Sequence, residues 1–191
     1  RVLIPRPDTA TLVETALSHV DGKDGRNLAL CTESGAIAVA LAHSLKRPVA
    51  MSDLSPDALS VAKENYTRLI GTPPEARQGD LLEPWKGERF SLIVSNPPYL
   101  TDDWYEIVDE DVKKEPKTAF IGFGDDGLDL IRRIVEEAPA HLVSGGYLAF
   151  ECDYRQCEAL SHLLAQKGFA GVNIVKDLSG KDRVVYGKYS E

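Results

Sequence analysis

No apolar run in the 191 residues approaches the roughly 18 needed to cross a membrane, and the N-terminus carries no hydrophobic block of the signal-peptide kind. A membrane span and a secretory leader are therefore unsupported, and a cytoplasmic location is the expectation. Cysteine is scarce: Cys31, Cys152 and Cys157 are odd in number and show neither a CxxC pair nor zinc-type spacing, which argues against a disulfide framework or a metal site and for buried thiols. His19, His43, His141 and His162 fall on predicted helices without paired ligand spacing and are read as structural. Basic residues are in deficit, with 22 Lys and Arg against 30 Asp and Glu and a formal charge of −8. No local Lys/Arg cluster offsets this balance, so nucleic acid is a disfavoured partner.

Repeats and low-complexity segments are also missing. The length suits one sizeable core, and a single globular unit, monomeric, is expected. The chain opens at Arg1 in the apolar stretch Val2-Leu3-Ile4, an abrupt start that reads as part of a longer protein.

What is present is an alternation of short apolar runs with helix-period stretches, the pattern of a parallel α/β sheet. Strands are expected at 27–31, 48–52, 75–79, 90–95, 146–152, 171–176 and 182–188, and helices at 34–45, 55–70, 126–142 and 154–167. Ser55-Pro56-Asp57 supplies a cap and a first-turn proline, Gly71-Thr72-Pro73-Pro74 ends the helix before it, and Gly145-Gly146 is expected to turn the chain into a strand. Only Leu178-Ser179-Gly180-Lys181 separates the last two strands, too little for a parallel crossover, so an antiparallel hairpin should close the sheet.

The segment 96–125 is long, polar and rich in Pro and Gly, and loops of such length usually serve a function or are disordered. It follows the strand Phe90–Ser95, beyond the carboxyl edge where open α/β sheets bind ligands. It begins Asn96-Pro97-Pro98-Tyr99. Two prolines fix φ and delete two N–H donors, leaving a stiff loop that offers carbonyl acceptors. The Asn96 side-chain oxygen and the Pro97 carbonyl can each accept one N–H of an amide or amine nitrogen and aim its lone pair at a methyl donor, while Tyr99 stacks on the planar group. A sulfonium methyl needs no acid to leave, so positioning and hydrogen bonding suffice for most of the catalysis.

Candidate donor residues lie at the ends of the first four strands: Thr32 and Gly35 after the first, Asp53 and Leu54 after the second, Asp80 and Leu81 after the third, and Asn96, shared with the acceptor, after the fourth. Asp53 suits a pair of ribose hydroxyls and Asp80 an adenine amino group. The plainer alternatives are a helix-capping acid for Asp53 and an ordinary turn acid for Asp80.

Four blocks together, Ile4-Pro5-Arg6-Pro7-Asp8-Thr9, Asp53-Leu54-Ser55-Pro56, Asn96-Pro97-Pro98-Tyr99, and Glu115-Pro116 with Asp126-Gly127-Leu128-Asp129, make the chain resemble the release-factor glutamine N5-methyltransferases of the HemK/PrmC type over nearly its whole length. The resemblance implies a Rossmann-like class I methyltransferase domain over 1–191 with a mostly parallel seven-stranded sheet. It also implies S-adenosyl-L-methionine as donor, S-adenosyl-L-homocysteine as product, and the Gly-Gly-Gln glutamine of peptide chain release factors as acceptor. A small helical substrate-binding domain precedes the Val2 block in such proteins.

Several positions depart from that pattern. Where the family reads Asp-x-Gly-x-Gly-Ser-Gly after the first strand, this chain has Ala29-Leu30-Cys31-Thr32-Glu33-Ser34-Gly35. A non-glycine held there at positive φ costs about 1–2 kcal/mol. Ala10 replaces a usual Glu, Asp153 and Cys157 stand where relatives often have glycine, and Phe120–Asp125 is one residue longer than the usual Gly-Gly-Glu version. Two alternatives stay open on sequence: an adenine-N6 or guanine-N2 methyltransferase, since the Asn-Pro-Pro-Tyr motif serves those acceptors too, and a non-catalytic release-factor-binding domain with a degenerate donor site.

Overall fold

A computed structural model describes residues 9–20 and 24–191. Of the Ile4-Pro5-Arg6-Pro7-Asp8-Thr9 block, positions 4–8 lie outside the described residues. Seven strands, β1 (Asn27–Leu30), β2 (Ala50–Asp53), β3 (Ala76–Gln78), β4 (Phe90–Ser95), β5 (Leu142–Glu151), β6 (Ala170–Lys176) and β7 (Asp182–Lys188), form one sheet in the order β3-β2-β1-β4-β5-β7-β6. The pairs from β3 through β5 are parallel, and β7 runs antiparallel to both β5 and β6. This is the class I methyltransferase arrangement, with the antiparallel C-terminal hairpin that the short connection 177–181 requires.

Period-two alternation sorts each central strand between two cores. Leu28, Leu30, Ile93, Leu148 and Phe150 face one layer, where Ile131 and Ile134 of α6 (Asp129–Glu137) and Leu160 and Leu164 of α7 (Cys157–Gln166) pack. Ala29, Leu92, Val94 and Ala149 face the other, against α1 (Thr9–Val20), α2 (Ala36–Leu45) and α3 (Pro56–Ile70) through Leu12, Leu41, Leu59 and Tyr66. The helix carrying His19 is thus a full three turns that close this second layer. Ser55 caps α3 by accepting from the Ala58 N–H at 3.2 Å, and Gly71 ends it at φ +95°, as the Ser-Pro and Gly-Thr-Pro-Pro signals require.

Three boundaries differ from expectation. Gly145-Gly146 is no turn before a strand: β5 runs unbroken from Leu142, and the pair sits where the register with β4 slips between Phe90 and Leu92, Gly145 at φ +87°. Glycine signals bulges as well as turns, and here the bulge wins. The helix expected over 126–142 is α6 plus a 3-10 turn, Ala138–His141, because Pro139 cannot continue an α-helical ladder. The helix expected from 154 starts at Cys157, since the Asp153 carboxylate accepts the Arg155 N–H at 2.9 Å and holds the preceding residues in a turn.

Candidate active site

The carboxyl ends of β1, β2 and β4 meet in one place. After β1 the chain makes a tight loop in which Cys31 and Glu33 both hold left-handed φ, +54° and +51°. The glycine-type backbone therefore persists without the glycines. Thr32 between them is buried, donates its N–H to Ser52 O (3.2 Å) and accepts from the Gly35 N–H (2.7 Å). Gly35, at φ +84°, starts α2, and a Cβ there would lie 3.1 Å from Ala62 of α3. Thr32 and Gly35 thus tie the loop to β2 and let two helices approach, and neither lines the cavity that opens at Asp53.

Asp53 ends β2 with its carboxylate accepting the Glu33 N–H (3.0 Å) and the Ser55 N–H (2.9 Å). Burial raises its pKa from the ordinary aspartate value, partly opposed by backbone N–H groups of Glu33, Ser55 and Leu54. The helix cap is Ser55, so the capping alternative for Asp53 falls away. Asp53 opens into a cavity of about 520 Å3 shared with Cys31, Leu54, Asp80, Leu81 and Pro98. That volume is in the range of small-molecule sites. Asp80 is ion-paired with Arg133 of α6 at 2.6 Å, a partner that sequence reading missed. Leu81 sits buried at φ +49°. Two lining side chains, Leu54 at 67% and Phe123 at 57% exposure, leave apolar surface at the open rim. Phe123 was not foreseen as part of this site. Burial and the Asp53 charge push the Cys31 thiol well up, so it stays neutral.

Asn96 leaves β4 just after Ser95, whose hydroxyl donates to Leu30 O at 3.2 Å. Asn96, Pro97, Pro98 and Tyr99 line a second cavity of about 170 Å3 together with Phe120 and Glu151. Pro98 and Ala119 line both cavities, so the two adjoin there, whereas Asn96 lines only the smaller one. Burial, then the negative charge of Glu151, raises the Tyr99 hydroxyl pKa, and it remains a neutral phenol. Glu151, buried at the end of β5, is a second residue sequence reading missed.

The connection after Tyr99 is built rather than structureless. Thr101 caps α4 (Asp102–Glu106) through the Trp104 N–H at 3.0 Å, α5 (Glu110–Lys113) follows, and Leu100 bridges to Ile121. Of the three thiols, Cys31 is partly buried; Cys152 and Cys157 are fully buried with their sulfurs 2.7 Å apart.

The sequence matches the family described as Methyltransferase small domain over residues 6–116. It is 43% identical over 189 residues to the release factor glutamine methyltransferase of Vibrio cholerae, covering 98% of this chain and 66% of that one. It is 42% identical over 191 residues to the protein of the same name from Pseudomonas aeruginosa, covering 98% and 68%. The chain therefore spans about two thirds of the length of the curated relatives it matches. Among solved structures, a release-factor-specific protein-(glutamine-N5) methyltransferase from Alicyclobacillus acidocaldarius superposes with a TM-score of 0.61 at 28% identity, over 98% of this chain and 95% of that one. With this identity over nearly all of its length, the chain belongs to the release factor glutamine methyltransferase family.

Proposed function

We propose that this domain methylates the side-chain nitrogen of the glutamine in the Gly-Gly-Gln loop of peptide chain release factors. The donor is S-adenosyl-L-methionine and the product S-adenosyl-L-homocysteine. One observation carries the reading: a nucleoside-sized cavity ending on Asp53 and a smaller cavity walled by Asn96–Tyr99 share Pro98 and Ala119.

The residues fit the donor. Asp53 presents a buried carboxylate to the larger cavity, suited to vicinal hydroxyls, and Leu54, Leu81 and Pro98 offer apolar walls for a purine. Asp80 receives the adenine amino group while Arg133 fixes its orientation. Thr32 and Gly35 act behind the site, by shaping the loop whose Cys31 and Glu33 face the cavity. When bound, the sulfonium supplies an electrophilic methyl that leaves without acid assistance.

On the acceptor side Asn96 Oδ1 and the Pro97 carbonyl each take one amide N–H, turning the nitrogen lone pair out of conjugation and toward the donor cavity, where it attacks the methyl as the carbon–sulfur bond breaks. Tyr99 packs on the amide plane as a neutral ring. Orientation of this kind is where most of the rate arises, because the leaving thioether needs no proton and the methylated nitrogen sheds one N–H proton to solvent. The experiment is transfer of radiolabelled methyl to a release factor by the full-length protein.

The strained Cys31/Glu33 loop favours one other reading, a binding domain that has lost its donor. Calorimetry separates them: micromolar donor binding removes the second reading.

A further inference from the structure

Both ends of the acceptor motif are anchored, but by different means. Ser95, just before it, is held by strand pairing with Leu30 and Phe150. Within it, Pro97 and Pro98 have fixed φ, and each restricts the residue before it, so few soft torsions remain. The far end is the Tyr99 carbonyl, which accepts from Gln156 Nε2 at 2.6 Å across 57 residues of sequence.

Gln156 is 2% exposed and lines neither cavity. Its second amide N–H goes to the Asp126 carbonyl at 2.6 Å, and its Oε1 accepts the Asp153 N–H at 3.3 Å. The junction has no spare room. A Cβ on Gly127 would lie 2.2 Å from Tyr99 O and 2.9 Å from Gln156 Nε2, and one on Gly122 would lie 1.9 Å from Gly127 O and 2.7 Å from Pro98 O. An amide here satisfies two carbonyls and one buried N–H at once. A carboxylate of the same size would turn oxygens toward both carbonyls.

We propose that Gln156 is a positioning residue for methyl transfer, fixing the Pro98–Tyr99 backbone and through it the acceptor grip. The inference rests on the methyltransferase reading above. The donor cavity shares Pro98 with the clamped segment, but its polar groups, Asp53 and Asp80, stand at the end of β2 and after β3, so the clamp bears far more on transfer than on donor binding.

The test compares Gln156→Met, which keeps volume and loses all three hydrogen bonds, with Gln156→Glu in the full-length protein. The expected result for both is a fall in kcat for glutamine methylation of about 10²-fold, the scale of a small misplacement of a reacting group. The donor Kd should stay within about twofold, since Asp53 and Asp80, which carry the polar contacts of the donor cavity, lie outside the clamp. Unchanged kcat in either variant overturns the proposal, and so does parallel loss of donor affinity and kcat, which marks a general fold defect. Hydrogen exchange keeps the inference separable from the functional reading. If the parent protein binds donor and transfers nothing to glutamine, that reading fails, while faster exchange of the Leu100–Trp104 amides in Gln156→Met, with α3 unchanged, still supports the clamp. Unaltered exchange there overturns it.

Discussion

Glu33, held at φ +51°, donates its backbone N–H to the Asp53 carboxylate at 3.0 Å. The loop that departs most from the family's glycine pattern is therefore the loop that supports the acid expected to hold the donor ribose. The hydrogen bond comes from the main chain, so it survives the change of side chain. What the change costs is conformational.

A left-handed non-glycine residue costs about 1–2 kcal/mol, and glycine's extra freedom in the unfolded chain returns about 0.5–1 of that. Glu33→Gly is expected to stabilise the fold by a net of about 0.5–1 kcal/mol. Urea unfolding followed by circular dichroism measures it, and a midpoint that stays put or falls would show the loop unstrained.

Asp53 gives a pH prediction. Burial raises its pKa, and only the ionised carboxylate accepts from both ribose hydroxyls. Donor affinity should then weaken as pH falls through a value above the roughly 3.9 of an exposed aspartate. Asp53→Asn should bind about 10- to 100-fold more weakly at neutral pH, the scale of a hydrogen bond to a charged group, and lose that pH limb. Calorimetry across the acid range reads both. Identical pH profiles for the two proteins would remove Asp53 from the donor site.

Asn96 should separate chemistry from donor binding. Its cavity is distinct from the donor's except at the Pro98–Ala119 wall, so Asn96→Ala should leave the donor Kd nearly unchanged. Transfer to glutamine should drop about 10²- to 10³-fold, as when a preorganised polar group is deleted from a reacting centre. Single-turnover transfer from prebound donor is the measurement, and a wild-type rate would contradict the assigned grip.

Much of this was legible in the sequence, for identifiable reasons. Buried parallel strands write themselves as short apolar runs, and the hairpin followed from a connection too short to cross over. Asn96–Tyr99, Asp53 and Asp80 reach the sheet's carboxyl edge as their positions after strands implied. Thr32 and Gly35 share that edge but serve the backbone, because the side chains facing the cavity from this loop belong to Cys31 and Glu33. Gly145-Gly146 misled because turns and bulges use the same residue. Arg133, Glu151 and Gln156 stayed hidden: each meets its site across 50 or more residues, with no local pattern to announce the contact. The left-handed Phe123 at the rim of the donor cavity was equally silent.

If the acceptor motif grips a release-factor glutamine, incubating the full-length protein with donor and a release factor carrying the Gly-Gly-Gln loop, and mapping the product by tandem mass spectrometry, will show it. One added methyl is expected on the side-chain nitrogen of that glutamine, lost in Asn96→Ala. Methylation of a nucleic-acid base instead, or no transfer despite bound donor, would contradict it.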